Sequence, residues 1–328
     1  MKITINILVK NNEQTIERTL DSIRTLNSKI LIGNLSSRDR TLNICKKFKN
    51  THILDLGELK SLSEAKNKLI KENKTPWTFF IEPWENLISQ PDKIEEITST
   101  PEINSYRINV IQNDILTKQI RLWHKEKKLN FKHPIYEIIE DKNSKHSDLY
   151  IASGGRPENK KSLEIIENWR ASKPLSCEPL YYLAFYYLEK KEWNKFLSYA
   201  NLYLHQEKSK TLSLTMTHYY CSMIKCYIES EKNFKEAISH IVYCLSENPL
   251  MAEFWCLLGD IYYSFNEYNK AISFYENALI LGSKRLKNDN YPIEISKYKE
   301  YPEKMIKNCS QIKESTRTYK INKENQAH

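Results

Sequence analysis

Two carboxylates follow a strongly apolar run in the first third of the chain. Residues 77–81 read WTFFI, which predicts a buried strand, and Glu82 and Glu85 come directly after it in the tetrapeptide Glu-Pro-Trp-Glu. A carboxylate can accept hydrogen bonds from a ligand or take a proton from it. Because ligands bind where the strands of a parallel sheet end, we expect Glu82 to be a functional residue rather than a surface acid.

The segments around this pair alternate between strand and helix. The predicted strands are 3–9, 29–32, 52–56 and 77–81, and the predicted helices are 13–26, 39–48 and 62–72. This alternation predicts an α/β domain with a doubly wound parallel sheet, in which the loops after Val9, Ile32 and Ile81 share one edge. Shorter β-like pieces at 106–111, 119–123 and 136–139 predict that the sheet ends in mixed or antiparallel strands, before a turn at 153–157.

The second half of the chain has a helical repeat pattern. Trp255, Leu258, Gly259 and Tyr262 match W-x2-L-G-x2-Y, and an alanine with the same local context recurs 34 residues apart, at positions 237 and 271. A looser copy covers residues 180–200. The pattern predicts an all-α domain of tetratricopeptide-like repeats. The aromatic residues at helical spacing are expected to be repeat core rather than a binding stripe, namely Tyr181, Tyr182, Tyr186, Tyr187, Trp193, Tyr219, Tyr220 and Trp255.

These patterns divide the 328 residues into four parts. We expect the α/β domain at 1–155, a linker helix at 156–177, the helical repeats at 178–283 and a basic tail at 284–328, with a helix at 305–312 and a solvated end from 315. No apolar stretch is long enough to span a membrane and no secretion signal is present, so the expected location is cytoplasmic.

Composition excludes several kinds of site. Six glycines, without G-x-G-x-x-G or a P-loop, argue against those phosphate-binding motifs, and seven cysteines without zinc-type spacing are expected to be reduced core residues. A net charge of +9 is compatible with an anionic partner such as nucleic acid. Because the lysines are spread along the whole chain, a compositional bias is the favoured explanation.

The first domain resembles the family 2 glycosyltransferases, and the whole chain resembles their subgroup with a GT-A catalytic domain followed by tetratricopeptide repeats. The stretches that carry the resemblance are ITINILVKNNEQTIERTLDSI, SSRDRTLNICKKF, LSEAKNKLIKENKTPWTFFIEPWE and IRLWHKEKKLNFKHPIYE. The resemblance implies a GT-A-like mixed sheet and transfer of a sugar from a nucleotide-sugar. It also implies an Asp after the second strand that contacts the base, and a D-x-D or D-A-D-E motif that holds the ribose and a divalent metal.

Several matching positions depart from that pattern. Asn34 replaces the base-binding Asp, although its amide oxygen can still accept a hydrogen bond from a uracil-type N–H. Glu82 keeps a carboxylate for the ribose, whereas Trp84 replaces a metal-binding carboxylate with an indole that cannot ligate Mg²⁺ or Mn²⁺. Glu85 is the nearby substitute. Glu137 remains as the candidate base, in a Tyr-Glu pair where the family has His-Glu, and Ser153 replaces another expected His.

A metal is therefore disfavoured at the donor site, and fixed cations are its candidate replacements. Lys66, Arg121, Lys125 and Arg156 could supply positive charge to a diphosphate, but for each of them a solvated surface cation is the simpler interpretation. Three further side chains have structural roles as their simplest interpretation. Asp39 is expected to cap a helix, and the isolated histidines at 124 and 133 are expected to be structural. Trp84 itself either stacks on a ligand or fills the vacated metal pocket.

Three functions remain open from the sequence. The first is sugar transfer from a nucleotide-sugar to an unknown acceptor, with Asn34, Glu82, Glu85 and Lys66 binding the donor. The second is an inactive glycosyltransferase-like protein that binds a protein partner through the concave face of its repeats. The third is sugar transfer to modified nucleic acid, which requires a steep salt dependence of DNA binding. The retained sheet and repeats favour the first.

Overall fold

The computed structural model describes residues 2–58, 61–100, 102–157, 160–206, 216, 219–221, 223, 234–285 and 289–325, with side chains up to residue 318. The chain divides into two compact units, Met1–Trp169 and Arg170–His328. Cys226 and most of the segment 207–233 lie outside the described residues.

The first unit is built on a mixed sheet whose first half is parallel. The completely buried strand β1 (Ile3–Val9) pairs with β2 (Ser28–Asn34) on one side and with β4 (Trp77–Phe80) on the other, and β3 (Thr51–Asp55) pairs with β2. In this register Val9, Asn34 and Asp55 are direct neighbours at the carboxyl ends of their strands. The predicted common edge is therefore present, with Asn34 as the last residue of β2.

The second half of the sheet is mostly antiparallel. β4 pairs with β7 (Ile115–His124), followed by β6 (Ser105–Gln112), β8 (Lys145–Ser153) and β5 (Glu85–Leu87), in the order β3-β2-β1-β4-β7-β6-β8-β5. The expected mixed sheet is confirmed. The strand predicted at 136–139 is wrong: only a single bridge joins Lys132 to Ile138, because His133 and Tyr136 have positive φ angles of 68° and 54°, which extended strands do not accommodate.

Helices α1 (Ile16–Ser22) and α3 (Leu62–Lys71) cover opposite faces of the parallel strands. Side chains of β1 alternate between the two faces. Ile5 and Ile7 share a buried cluster with Leu20 of α1, whereas Leu8 packs with Leu69 of α3. The helices of this part are α1 (Ile16–Ser22), α2 (Thr41–Cys45), α3 (Leu62–Lys71), α4 (Pro91–Ser99) and α5 (Ser162–Ser172). The Ser61 hydroxyl caps α3 by accepting a hydrogen bond from the Glu64 N–H, which fixes where that helix begins.

The second unit is helical. Its elements are α6 (Glu178–Glu189), α7 (Trp193–Gln206), α8 (Phe234–Glu247), α9 (Ala252–Ser264), α10 (Tyr268–Gly282), β9 (Ile293–Glu294) and α11 (Glu300–Asn325). A Cβ atom at Gly259 of α9 would lie 2.5 Å from Cε1 of Tyr275 in α10, so the two helices approach closely only because that position is glycine. No helix among the described residues is long and apolar enough to cross a membrane.

Of the eight aromatic residues expected in the repeat core, Tyr187 and Tyr219 are buried, and Tyr181, Tyr220 and Trp255 are partly buried against buried clusters of the helical unit. The other three are partly buried as well. One expectation needs revision, because the final helix is much longer than predicted. It runs from 300 to 325 instead of 305–312, because Cys309 is buried with residues of α10 and the helix continues beyond that contact.

Two acidic side chains of α9 accept hydrogen bonds from parts of the chain that follow it. Glu253 accepts hydrogen bonds from the Tyr298 hydroxyl at 2.8 Å and the Glu294 N–H at 2.9 Å, and forms an ion pair with Arg285. Asp260 accepts hydrogen bonds from Tyr275 and Tyr301 at 2.6 Å. This part of α9 is therefore covered by the chain itself.

Candidate active site

A buried lysine lies beneath the carboxyl end of β4. Lys66 projects from α3, and its Nζ atom lies 2.5 Å from Oε1 of Glu82 and 2.9 Å from Oε2 of Glu137. The same Nζ atom lies 4.9 Å from the ring centroids of Phe80 and Phe131. Its side chain is only 5% exposed, so the surface cation that was the simpler interpretation is not what the structure contains.

Arg121 of β7 holds the second carboxylate of the Glu-Pro-Trp-Glu turn. Its guanidinium lies 2.8 Å from Oε1 of Glu85 and 3.5 Å from Oε1 of Glu82. The other oxygen of Glu85 accepts the backbone N–H of Glu82 at 2.9 Å, which closes the turn. Arg121 Nε is a buried donor for which the described residues provide no acceptor.

Glu137 joins the network from an irregular loop, and Arg156 joins it from the segment after β8. Arg156 lies 3.1 Å from Oε1 of Glu137 and stacks on the Tyr136 ring at 5.4 Å from its centroid. The Glu137 side chain is 2% exposed and that of Arg156 is 28% exposed. Both oxygens of Glu137 are thus paired with cations in a nearly dry environment.

The six charges balance one another, three carboxylates against three cations. Burial raises the pKa of Glu85 above its usual value although Arg121 opposes the shift. Burial acts in the same direction on Glu137, but Lys66 and Arg156 more than offset it and hold the pKa of that carboxyl below its usual value. Glu137 is therefore ionised near neutral pH and, while paired in this way, is a weak base.

The arrangement does not fit a divalent metal. Oxygens of Glu82 and Glu85 face Lys66 and Arg121, whose positive charges would repel a cation placed between the carboxylates. The half-buried Trp84 offers no ligand atom there, and its carbonyl oxygen accepts the Gly154 N–H at 2.9 Å. Among the described residues no group of three or more His, Cys, Asp or Glu side chains is arranged to hold a metal.

Asn34 lies at the same edge of the sheet, two strands away from β4. Its amide oxygen accepts the Ser37 N–H at 3.0 Å and its amide nitrogen donates to Oδ1 of Asp55 at 3.4 Å. Asn34 pairs with Val9 of β1, whereas Phe80, the last residue of β4, pairs with Asn6, so Asn34 lies two strands across and three residues further along the sheet. At about 4.8 Å per strand and about 3.3 Å per residue, this places Asn34 roughly 14 Å from the end of β4. Asp55 is exposed beside Asn34 and was not identified from the sequence.

The loops after β1 and β2 are tied together next to Asn34. Asp39 accepts hydrogen bonds from the N–H groups of Thr41 and Glu13, at 3.1 and 3.0 Å, and these bonds lower the pKa of its carboxyl although burial opposes them. Asp39 thus holds backbone donors as expected, from the position before the helix cap rather than from the cap itself. Asn11 accepts the Arg38 N–H at 2.8 Å in the same junction.

Lys125 does not join the other candidates. Its backbone N–H donates to the Pro76 carbonyl, so it lies at the amino end of β4, opposite the carboxylates. It lines an open cavity of about 220 Å³ with Lys71, Lys128 and Trp123. His124 packs edge-on against Trp77 and His133 stacks on Trp169, contacts that belong to structural histidines.

The pairing of the six charged residues could not be identified from the sequence. Lys66, Arg121 and Arg156 are named there only as separate candidates, because their partners are between 16 and 71 positions away. Asp55 carries a usable signal, since it lies near the end of the predicted strand 52–56, and Asn34 comes soon after the preceding predicted strand 29–32. Strand order was needed to recognise that these two residues are neighbours.

Residues 4–165 match the sequence model of a family described as glycosyl transferase family 2. No curated protein matches the chain. Among solved structures, S. aureus TarS 1-349 in complex with UDP-GlcNAc is 10% identical, with 92% of this chain and 91% of that chain covered and a TM-score of 0.38. The mannosyltransferase PcManGT from Pyrobaculum calidifontis, in complex with GDP-Man and Mn²⁺, is 9% identical, with coverages of 75% and 88% and a TM-score of 0.41.

A third solved structure also has a distant similarity to the chain. MamA from Desulfovibrio magneticus RS-1 is 16% identical, with 48% of this chain and 84% of that chain covered and a TM-score of 0.33. At such TM-scores the structural similarities are remote, and the family match rests on the sequence of residues 4–165.

Proposed function

We propose, from the premise that residues 4–165 belong to glycosyl transferase family 2, that this domain binds a nucleotide-sugar at the carboxyl edge of its sheet and transfers the sugar without a divalent metal. The observation that carries the proposal is the convergence of Lys66, Arg121 and Arg156 on the three carboxylates Glu82, Glu85 and Glu137. A guanidinium or ammonium group fixed in a buried site can balance the charge of a diphosphate, which is the role of the metal in other enzymes.

In the proposed reaction, Asn34 and its neighbour Asp55 bind the nucleoside base, and Glu82 accepts hydrogen bonds from the ribose. The bond between the anomeric carbon and the diphosphate oxygen breaks, and its electron pair leaves with the diphosphate near the three cations. The acceptor forms the new bond to that carbon, and Glu137 takes the acceptor proton.

Isothermal titration calorimetry with UDP, GDP and their sugars, in EDTA and in Mn²⁺, tests this function. Binding in EDTA that Mn²⁺ does not strengthen is the expected result. Binding that requires Mn²⁺ would contradict the role of the fixed cations. Absence of binding in both conditions would remove the donor site altogether.

A second function is favoured by one specific feature, the complete pairing of Glu137. With both oxygens ion-paired, the protein contains no free base at this position, as expected of a glycosyltransferase-like protein that binds a ligand without turning it over. Hydrolysis of a bound donor, followed by chromatography over many hours, separates the two. Release of free sugar above the background of the Glu137→Gln variant supports the enzyme, and equal rates support the binding protein.

A further inference from the structure

Binding of a diphosphate to this site has an electrostatic cost, because the charges of the three carboxylates and three cations already sum to zero. This step rests on the proposed function. A nucleoside diphosphate brings at least two negative charges, and the three cations are each engaged with a carboxylate. Placing an anion beside neutralised cations gains little unless one carboxylate gives up its partners.

The three carboxylates differ in the elements that carry them. Glu85 lies in β5, and it accepts both Arg121 and the backbone N–H of Glu82. Glu82 lies in the turn that this hydrogen bond closes, two residues after the end of β4. Glu137 lies in a loop with no regular secondary structure, in which the adjacent Ile138 forms a bridge with Lys132. Glu137 is thus the one carboxylate of the three that is carried by a loop outside the β4–β5 segment.

The cations differ as well. Arg156 has the most exposed side chain of the six, and it directly follows Gly154 and Gly155, of which Gly155 has a φ of 88°. Lys66 and Arg121 extend from a helix and a central strand and are almost completely buried. The pair formed by Glu137 and Arg156 therefore combines the carboxylate carried by a loop with the most accessible cation.

We infer that Glu137 is the resting counter-ion of Arg156 and Lys66, and that a nucleoside diphosphate takes its place on these cations. In this role Glu137 limits the affinity of the site for nucleotides, in addition to any part it has in transfer. The exchange also has a chemical result, because the pKa of Glu137 rises towards its usual value once Lys66 and Arg156 are engaged elsewhere. Donor binding would then release the base that the reaction needs.

The test is UDP and GDP affinity, measured by calorimetry in EDTA for the wild type, Glu137→Gln and Glu140→Gln. Glu140 is a matched control, because it lies in the same loop and pairs with Lys132 at 2.5 Å, but both of those side chains are more than half exposed. We expect Glu137→Gln to bind nucleotide about tenfold more tightly than the wild type, since a charge-assisted partner becomes a neutral one. Glu140→Gln should be unchanged.

Two further variants locate the effect. Arg156→Gln should weaken binding, and in the Glu137→Gln background it should abolish the gain, because the two residues act on one interaction. A gain that persists without Arg156 would contradict its role. If the wild type binds nucleotide and Glu137→Gln binds equally or less tightly, the inference fails and the proposed function stands. If no form binds nucleotide, both fail.

Hydrogen exchange of the wild type gives an answer even if Glu137→Gln does not fold. Release of Glu137 from its two cations should increase amide exchange at residues 132–144 when saturating UDP is present. Unchanged or slower exchange in that loop, with UDP bound, would contradict displacement of Glu137.

Discussion

Lys66 and Glu82 form an ion pair of 2.5 Å in which both side chains are nearly excluded from water. The pair connects the middle of α3 to the residue after β4, so the helix that packs on one face of the sheet also positions the carboxylate at its edge. Because Lys66 contacts Glu137 too, one ammonium group fixes two candidate functional side chains. The positions of Glu82 and Glu137 therefore depend on how α3 packs against the sheet.

Replacing Lys66 with methionine should strongly destabilise the protein. The substitution keeps the aliphatic volume but leaves Glu82 and Glu137 with one buried cation fewer, at a cost of about 3–5 kcal/mol in the free energy of unfolding. Lys68→Met is the matched control on the same helix, since its pair with Glu64 is about half exposed and should contribute less than about 1 kcal/mol. Urea denaturation measures both, and equal losses would show that the buried network adds no stability.

An aspartate at position 34, the residue that the resemblance implied there, should be harmful in this chain. Asn34→Asp replaces the donor to Asp55 by a second carboxylate and creates repulsion across β2 and β3. We expect a loss of about 1–3 kcal/mol in unfolding free energy. Combining it with Asp55→Asn exchanges the two groups and should recover at least half of the loss. A thermal-shift series with both single variants checks this, and an Asn34→Asp protein as stable as the wild type would contradict it.

The stability contributed by Glu137 should depend on pH in the acid range. Its folded pKa is lower than the ordinary value of 4.5, so the ionised form stabilises the folded state above that pH. The contribution is lost as the pH falls through the lower folded pKa, where the folded protein must take up a proton. The wild type should therefore exceed Glu137→Gln in stability at pH 7, and the difference should shrink below about pH 4.5. Urea denaturation at several pH values follows the difference, and a gap that widens on acidification would contradict the assignment.

Gly259→Ala should destabilise the helical unit by about 1–3 kcal/mol, because the new methyl group would overlap the Tyr275 ring. Alanine is otherwise the better helix former, so a stabilised protein would show that α9 and α10 are not in close contact. Ser273→Ala, at an exposed position of α10, is the control and should change stability by less than about 0.5 kcal/mol. Denaturation monitored by far-UV circular dichroism measures both.

Much of the α/β fold follows from local sequence. The run at 3–9 is apolar at every position except Thr4 and Asn6, and it forms β1 with the predicted bounds because it is buried on both faces. The signature residues Gly259 and Tyr275 likewise meet in space. The predictions fail where contacts between residues that are distant in sequence determine the backbone conformation. Residues 136–139 are β-like in composition, but the loop that carries Glu137 to Lys66 and Arg156 requires a positive φ at Tyr136.

The candidate site was predictable residue by residue but not as an arrangement. A carboxylate after a buried strand is a local signal, and it identified Glu82 and Glu85. Whether a lysine is solvated or buried depends on what packs around it, and Lys66 has aromatic neighbours from β4 and from position 131. Lys125 is also a lysine, yet it follows the end of β7 and lies at the opposite edge of the sheet.

The hydrogen bonds that Tyr298 and Tyr301 donate to α9 have a practical consequence for expressing the helical part as a separate fragment. A fragment ending near residue 285 would keep all of α9 and α10 but would lose Tyr298 and Tyr301, leaving the carboxylates of Glu253 and Asp260 with fewer hydrogen bonds. Fragments of the helical part should therefore extend beyond Cys309, whose buried side chain holds α11 against α10. The segment from Glu294 to Cys309 is therefore part of the packing of the helical unit, and a fragment that lacks it should be less stable than one that contains it.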